Sequence, residues 1–185
     1  MRVGHDPGHG HNGDTGCVHN GVVESTYVMT LAQDITAGIP WVNHTLLRKV
    51  DDAPAYAERA QAALKAGCDL VFLHHVDAAG LTDTGLKAFF DPGDELGFEV
   101  AGVLSRCSPA RLWRGKTQPF AATERGWPRV RWCLEWYRQV GLSAVLIEWG
   151  YSTNPGDATV LLDPKARPAQ VACVASGIAR ALELH

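Results

Sequence analysis

The chain predicts a single α/β domain, a mostly parallel central sheet with helices on both faces. Three observations predict it. Short apolar runs alternate with stretches of helical periodicity along the whole length. The run Leu70 to His75 is apolar without alternation until its closing histidines, and Ala144 to Ile147 is apolar throughout, as strands buried on both faces are. The 185 residues, 46% hydrophobic and 20% charged, suit one domain with one sizeable core. No internal repeat or low-complexity linker divides them.

The elements follow in order. Residues 2–6 form a short strand, closed by Asp6-Pro7-Gly8 and a glycine-rich loop. From about Glu24, the residues Val28, Leu31, Ala32 and Ile35 recur at helical spacing, and Gly38-Ile39-Pro40 stops that helix. Residues 41–48 predict a second strand. Asp52 is a candidate cap for a helix with Pro54 in its first turn and Gly67 at its end. The strand Leu70 to His75 comes next, then a strand over 85–90 and a helix over 95–107. Ser108 to Pro128 is rich in proline, glycine and charge, which predicts a long surface loop lining the substrate site. Val130, Cys133, Leu134 and Tyr137 mark a helix, Ala144 to Glu148 a buried strand. Pro168 opens the last helix, with Val171, Val174, Ala175, Ile178 and Leu182 on its core face.

Composition narrows the function. A net charge of −3 implies no basic surface, so nucleic acid is not an expected partner. No apolar run reaches membrane-spanning length, so no membrane insertion is expected. The N-terminus lacks an apolar signal segment, which predicts synthesis in the cytoplasm without a signal peptide. Five cysteines, an odd number without C-x-x-C spacing, predict reduced and mostly buried thiols rather than a disulfide framework. The chain is expected to act as a monomer, with no separate binding domain in residues 1–185.

The polar residues carry the chemistry. His9 follows the first strand, His74 and His75 end the Leu70 strand, and Glu148 ends the Ala144 strand. In open α/β sheets, sites form outside the carboxyl ends of the strands, so these groups converge on one rim. Glu24 lies four residues before Val28 and shares the inward face of that helix. An unpaired carboxylate facing a core is costly, and a cation at the sheet edge offsets that cost. Two histidines and one carboxylate form a catalytic zinc set with a position left for water. Successive side chains of a strand alternate, so only one of His74 and His75 reaches the rim. Periodicity does not decide which.

Four ordered segments resemble the zinc N-acetylmuramoyl-L-alanine amidases of the amidase_3 type. They are Asp6-Pro7-Gly8-His9-Gly10, Gly21-Val22-Val23-Glu24, Asp69 through His75 to Asp77, and Glu148-Trp149-Gly150-Tyr151-Ser152-Thr153-Asn154. Leu47-Arg48 with Asp51, and Arg125-Gly126-Trp127, also fit. The resemblance implies one zinc ion on His9, Glu24 and His75, with Glu148 as the catalytic glutamate. It selects His75 over His74. It also implies peptidoglycan as substrate and the amide between N-acetylmuramic acid and L-alanine as the bond cut. Small size and the missing signal segment fit a phage-type endolysin released through a membrane lesion; a catalytic domain from a longer bacterial chain fits equally. Here Leu73 and His74 replace a family serine and apolar residue, Asp77 an asparagine, and Tyr151 a phenylalanine.

Alternatives of other classes are a non-catalytic wall- or metal-binding module and a zinc peptidase or deacylase on the same fold. The intact Glu148 argues against the binding module. The remaining histidines have plainer readings: His5 packed or at the surface, His44 structural, His11 and His19 in a polar loop, His185 terminal. Trp132 and Trp136 share a helix face beside its apolar stripe and read as core edge, whereas Trp113 and Trp149 are the better candidates for substrate contact. Arg111, Arg114 and Lys116 suit a solvated loop better than stem-peptide carboxylates.

Overall fold

The computed structural model of the chain describes residues 1–10, 13–107, 119–123 and 127–184. Its strands are β1 (Arg2–Pro7), β2 (Val18–His19), β3 (Val22–Val23), β4 (Asn43–Leu46), β5 (Leu70–Asp77), β6 (Lys87–Phe90), β7 (Phe120–Ala121) and β8 (Ser143–Tyr151). Its α-helices are α1 (Glu24–Gly38), α2 (Tyr56–Ala66), α3 (Glu95–Arg106), α4 (Pro128–Gln139), α5 (Pro155–Leu162) and α6 (Arg167–Leu184). Among the described residues, six strands form one sheet in the order β4-β1-β5-β8-β6-β7, and β2 and β3 form a small separate hairpin. Strands β4, β1, β5 and β8 run parallel, and β6 lies antiparallel to β8. The expected mostly parallel sheet with helices on both faces is what the chain forms.

The period of two in the central strands sorts side chains between two cores. Leu70 and Phe72 of β5, with Val145 and Ile147 of β8, pack under α1, α3 and α6. Val71 and Leu73, with Ala144 and Leu146, pack under α2 and α4. The alternation continues into the polar residues at the strand ends. His5, His74 and Trp149 fall on the α1 face; Asp6, His75 and Glu148 fall on the α2/α4 face.

On the α1 face the polar groups form a closed series. The Trp149 indole donates to His74 Nδ1 at 3.2 Å. A neutral ring that accepts at Nδ1 carries its proton on Nε2. His74 Nε2 therefore donates to His5 Nδ1 at 3.1 Å, His5 Nε2 to His44 Nδ1 at 2.9 Å, and His44 Nε2 to the Ile39 carbonyl at 2.7 Å. Burial, followed by the charges of His74 and His44, holds the His5 pKa well below its usual value. Burial likewise lowers His74 to about 3.

Several local expectations are corrected. Asp52 does not cap α2: the N-cap is Ala55, whose amide is bound by Glu58, while Asp52 accepts from the Lys49 amide. Gly67 does end α2, in the left-handed conformation. The second strand is shorter than 41–48, and the expected loop from 108 to 128 contains β7 and, at Pro128, the start of α4. Leu182 is exposed rather than core; Gln170, Cys173, Gly177 and Ala181 join Val174 and Ile178 on the buried face of α6. The hairpin β2–β3 and α5 were not expected.

Candidate active site

Two arginines shape the loop that carries His9. His9 has φ +58°, in the left-handed region that costs a non-glycine residue roughly 1–2 kcal/mol. Arg59 donates to the carbonyls of Pro54, Pro7 and His9 at 2.7, 3.1 and 2.8 Å. Arg48 donates to those of Pro7, Gly8 and Ser25 at 2.7, 3.3 and 3.0 Å. Bonds to charged groups contribute about 1.5–3 kcal/mol each, so the clamp outweighs the strain. Arg59 also pairs with buried Asp6 at 2.5 Å, and Asp6 accepts from the Tyr137 hydroxyl at 2.6 Å.

The loop and the helix bring His9, Glu24 and His75 together. One ligand atom from each lies within 4.8 Å of the other two. His9 Nε2 is 3.2 Å and His75 Nδ1 is 3.1 Å from Glu24 Oε1. Tetrahedral donors at zinc bond lengths stand about 3.4 Å apart, so the spacing fits a small divalent ion. Glu24 is fixed from behind: Oε1 accepts from the Val76 amide and Oε2 from the Cys17 amide, both at 2.9 Å. Each histidine has a partner on its other nitrogen. His9 Nδ1 meets Asp14 Oδ1 at 2.6 Å, and His75 Nε2 meets the Tyr56 hydroxyl at 3.2 Å. Two glycines make the room. A Cβ on Gly8 would come within 2.3 Å of the His75 ring, and one on Gly16 within 2.5 Å of Glu24 Oε2.

His9 and Glu24 hold each other in charged forms. Burial alone would lower the His9 pKa, but hydrogen bonds and charge from Glu24, then Asp14, raise it to about 9. Burial alone would raise the Glu24 pKa, but hydrogen bonds from His75 and His9 hold it far below the carboxylate range.

Glu148 stands beside His75 in the parallel register of β5 and β8. Its Oε2 is buried and has no hydrogen-bond partner among the described residues. Burial first, then the charges of Glu24 and Asp77, raise its pKa well above the usual value, against a lowering by Lys87. Lys87 is pinned 3.4 Å from Asp77 Oδ2, between the rings of Trp127 at 4.4 Å and Tyr151 at 4.6 Å. The three cluster residues and Glu148 line one cleft of about 770 Å³, walled by Tyr56, Trp127, Arg129 and Trp132. That size suits a small-molecule or polymer-segment substrate.

His74 is excluded from this cleft by the strand's alternation. Trp149 is fully buried against His74, so its expected substrate contact is corrected. Trp132, read as core edge, is 51% exposed at the cleft. His11, Trp113, Arg111, Arg114, Lys116, Arg125 and His185 lie outside the described residues. Sequence reading did not single out Asp14, Tyr56 or Arg59; a polar loop and an alanine-rich helix give no local sign of contacts made across the fold.

A family model described as N-acetylmuramoyl-L-alanine amidase, Amidase_3, matches residues 3–180. No curated protein matches the chain. Among solved structures, the catalytic domain of the amidase CwlV from Bacillus (Paenibacillus) polymyxa var. colistinus superposes with a TM-score of 0.81 at 20% identity, covering 100% of this chain and 99% of that one. The amidase AmiC2 of Nostoc punctiforme gives 0.80 at 19% identity, covering 99% and 97%. The catalytic domain of the CD27L endolysin, which targets Clostridia difficile, gives 0.73 at 16% identity, covering 97% of each. At these identities the likeness concerns the fold.

Proposed function

The chain belongs to the Amidase_3 family of N-acetylmuramoyl-L-alanine amidases, peptidoglycan hydrolases, and we propose that it cuts the amide between N-acetylmuramic acid and L-alanine with zinc held by His9, Glu24 and His75 and with Glu148 as proton carrier. The observation that carries this reading is the meeting of three donor atoms beside a buried Glu148 oxygen that no described residue hydrogen-bonds. A two-histidine, one-carboxylate set is the zinc type that leaves a coordination position open. When bound, zinc supplies Lewis acidity to oxygens at the site.

The chain's own residues do the rest. Glu24, locked by two amides, keeps the two imidazoles facing one point. Asp14 and Tyr56 orient the rings from behind. The Glu148 carboxylate takes a proton from the attacking water and returns it to the nitrogen of the departing L-alanine. Its raised pKa suits both halves of that exchange.

The test is lysis of purified sacculi, followed by metal content and by mass spectrometry of the ends released. The expected result is chelator-sensitive lysis, one zinc per chain, and free L-alanine amino groups with intact glycan. Glu148→Gln should retain zinc and lose lysis by at least about 100-fold. A fully active Glu148→Gln protein would remove Glu148 from the chemistry.

A further inference from the structure

Beside the cleft lies a second groove of about 340 Å³, walled by Trp132, Trp136, Tyr56, Pro54, Ala57 and Asp14. We infer that this groove seats the pyranose ring next along the glycan strand from the muramic acid being cleaved, an uncharged N-acetylhexosamine. The inference rests on the peptidoglycan reading of the cleft and adds that the protein grips the polymer, not only the muramoyl-peptide unit.

The first ground is the aromatic platform. Trp132 leaves about half its surface in water, at 51% exposed. It is held edge-to-face by two neighbours: Tyr56 at 5.2 Å and 79°, and Trp136 at 6.3 Å and 85°. Such packing fixes the ring before any ligand arrives, so little conformational freedom is lost on binding. A sugar's C–H face carries slight positive charge and lies well on the negative face of an indole.

The second ground is continuity. Tyr56 and Trp132 line both the groove and the cleft. Tyr56 reaches His75 at 3.2 Å, and Asp14 reaches His9 at 2.6 Å. An occupant of the groove therefore lies one ring away from the metal cluster.

The third ground is charge. Among the described residues the groove's one guanidinium, Arg59, is committed to Asp6 and to the carbonyls of Pro54, Pro7 and His9. What the groove offers a ligand is apolar surface and the exposed carboxylate of Asp14. A stem peptide with its own carboxylates meets like charge there, whereas a neutral sugar meets stacking and an acceptor for its hydroxyls. The cation Arg129 lines the cleft instead.

The experiment compares wild type, Trp132→Ala and Trp132→Phe on glycan strands several disaccharides long and on a muramoyl-tripeptide with a single ring. The ratio of kcat/KM for the polymer to that for the single-ring substrate should fall about threefold to tenfold in Trp132→Ala, mostly through KM, and recover in Trp132→Phe. A β-1,4-linked tetramer of N-acetylglucosamine, titrated by tryptophan fluorescence, should bind wild type and bind Trp132→Ala correspondingly more weakly. If the ratio is unchanged because both substrates suffer alike, the groove holds the peptide or merely props Tyr56, and the inference is overturned. If the tetramer binds wild type and Trp132→Ala equally, it is overturned as well. Tetramer binding without any amide cleavage would instead condemn the proposed reaction and leave the groove assignment standing.

Discussion

The His9 ring is held at both ends by carboxylates, with Asp14 Oδ1 2.6 Å from Nδ1 and Glu24 Oε1 3.2 Å from Nε2. In the proposed zinc site Glu24 would share in gripping the ion, and Asp14 would set which nitrogen of His9 is free to bind it. Partners of this kind typically change metal affinity 10- to 100-fold. Asp14→Asn should weaken zinc binding by about that factor while leaving the fold intact. Competition against a chromophoric chelator measures it, and an unaltered affinity would deny Asp14 this role.

If the cluster takes a metal as proposed, the same pair should make uptake depend on pH. In the metal-free protein His9 titrates at about 9, so at neutral pH an entering ion must displace its proton. Apparent affinity should climb about tenfold per pH unit up to about 9 and then level off. Calorimetry in buffers of differing ionisation heat should register about one proton released from His9 per ion at pH 7. Affinity that is flat from pH 6 to 9 would contradict the assignment.

The histidine series on the opposite face predicts acid sensitivity. His5 and His74 are kept neutral by burial, with folded pKa values below the unfolded value of about 6.5. Below that pH the unfolded chain binds more protons, so stability falls as pH falls, and for His74 the loss continues toward about 3. Each histidine contributes a slope of about 1.4 kcal/mol per pH unit. Glu148 acts in the opposite sense, because its folded pKa is raised. The measurement therefore belongs in metal-stripped Glu148→Gln protein, by urea unfolding at pH 7, 6 and 5. His9, raised to about 9 in the fold, works against this trend between pH 7 and 6, so the expected slope nears about 2.7 kcal/mol per pH unit only toward pH 5; a flat profile between pH 6 and 5 would mean that the two rings are not neutral and buried.

Lys87 offers a fourth test. Its ammonium lies across the strand pair from Glu148 and lowers the pKa of that carboxyl. Lys87→Met removes the positive charge, so the acid limb of the kcat/KM profile should move to higher pH. The shift should be largest at low salt, where charge interactions are least screened. An unmoved limb would show that Lys87 does not tune the shuttle.

The sheet and the site were legible to different degrees. Glu24 to Gly38 and Leu70 to His75 were readable because their apolar spacing repeats a local geometry, helical in one and extended in the other. The choice between His74 and His75 was not open to spacing, since either would end the same buried run; β5's register beside β8 puts His75 next to Glu148. Trp149 looked available because it follows Glu148, yet the same alternation that exposes Glu148 to the cleft turns Trp149 into the core. Asp52 looked like a cap because its type favours that role, but the chain turns later, at Ala55. Arg59 gave no signal because its value lies in carbonyls more than 40 residues away in sequence.

Gly8 owes its place to a side chain 67 positions further on, for the His75 ring fills the volume that any β-carbon there would need. The two positions are thus one unit in inheritance. A lineage drifting from this chain cannot gain bulk at residue 8 while keeping an imidazole at residue 75, and directed diversification of the loop would have to treat them as a linked pair.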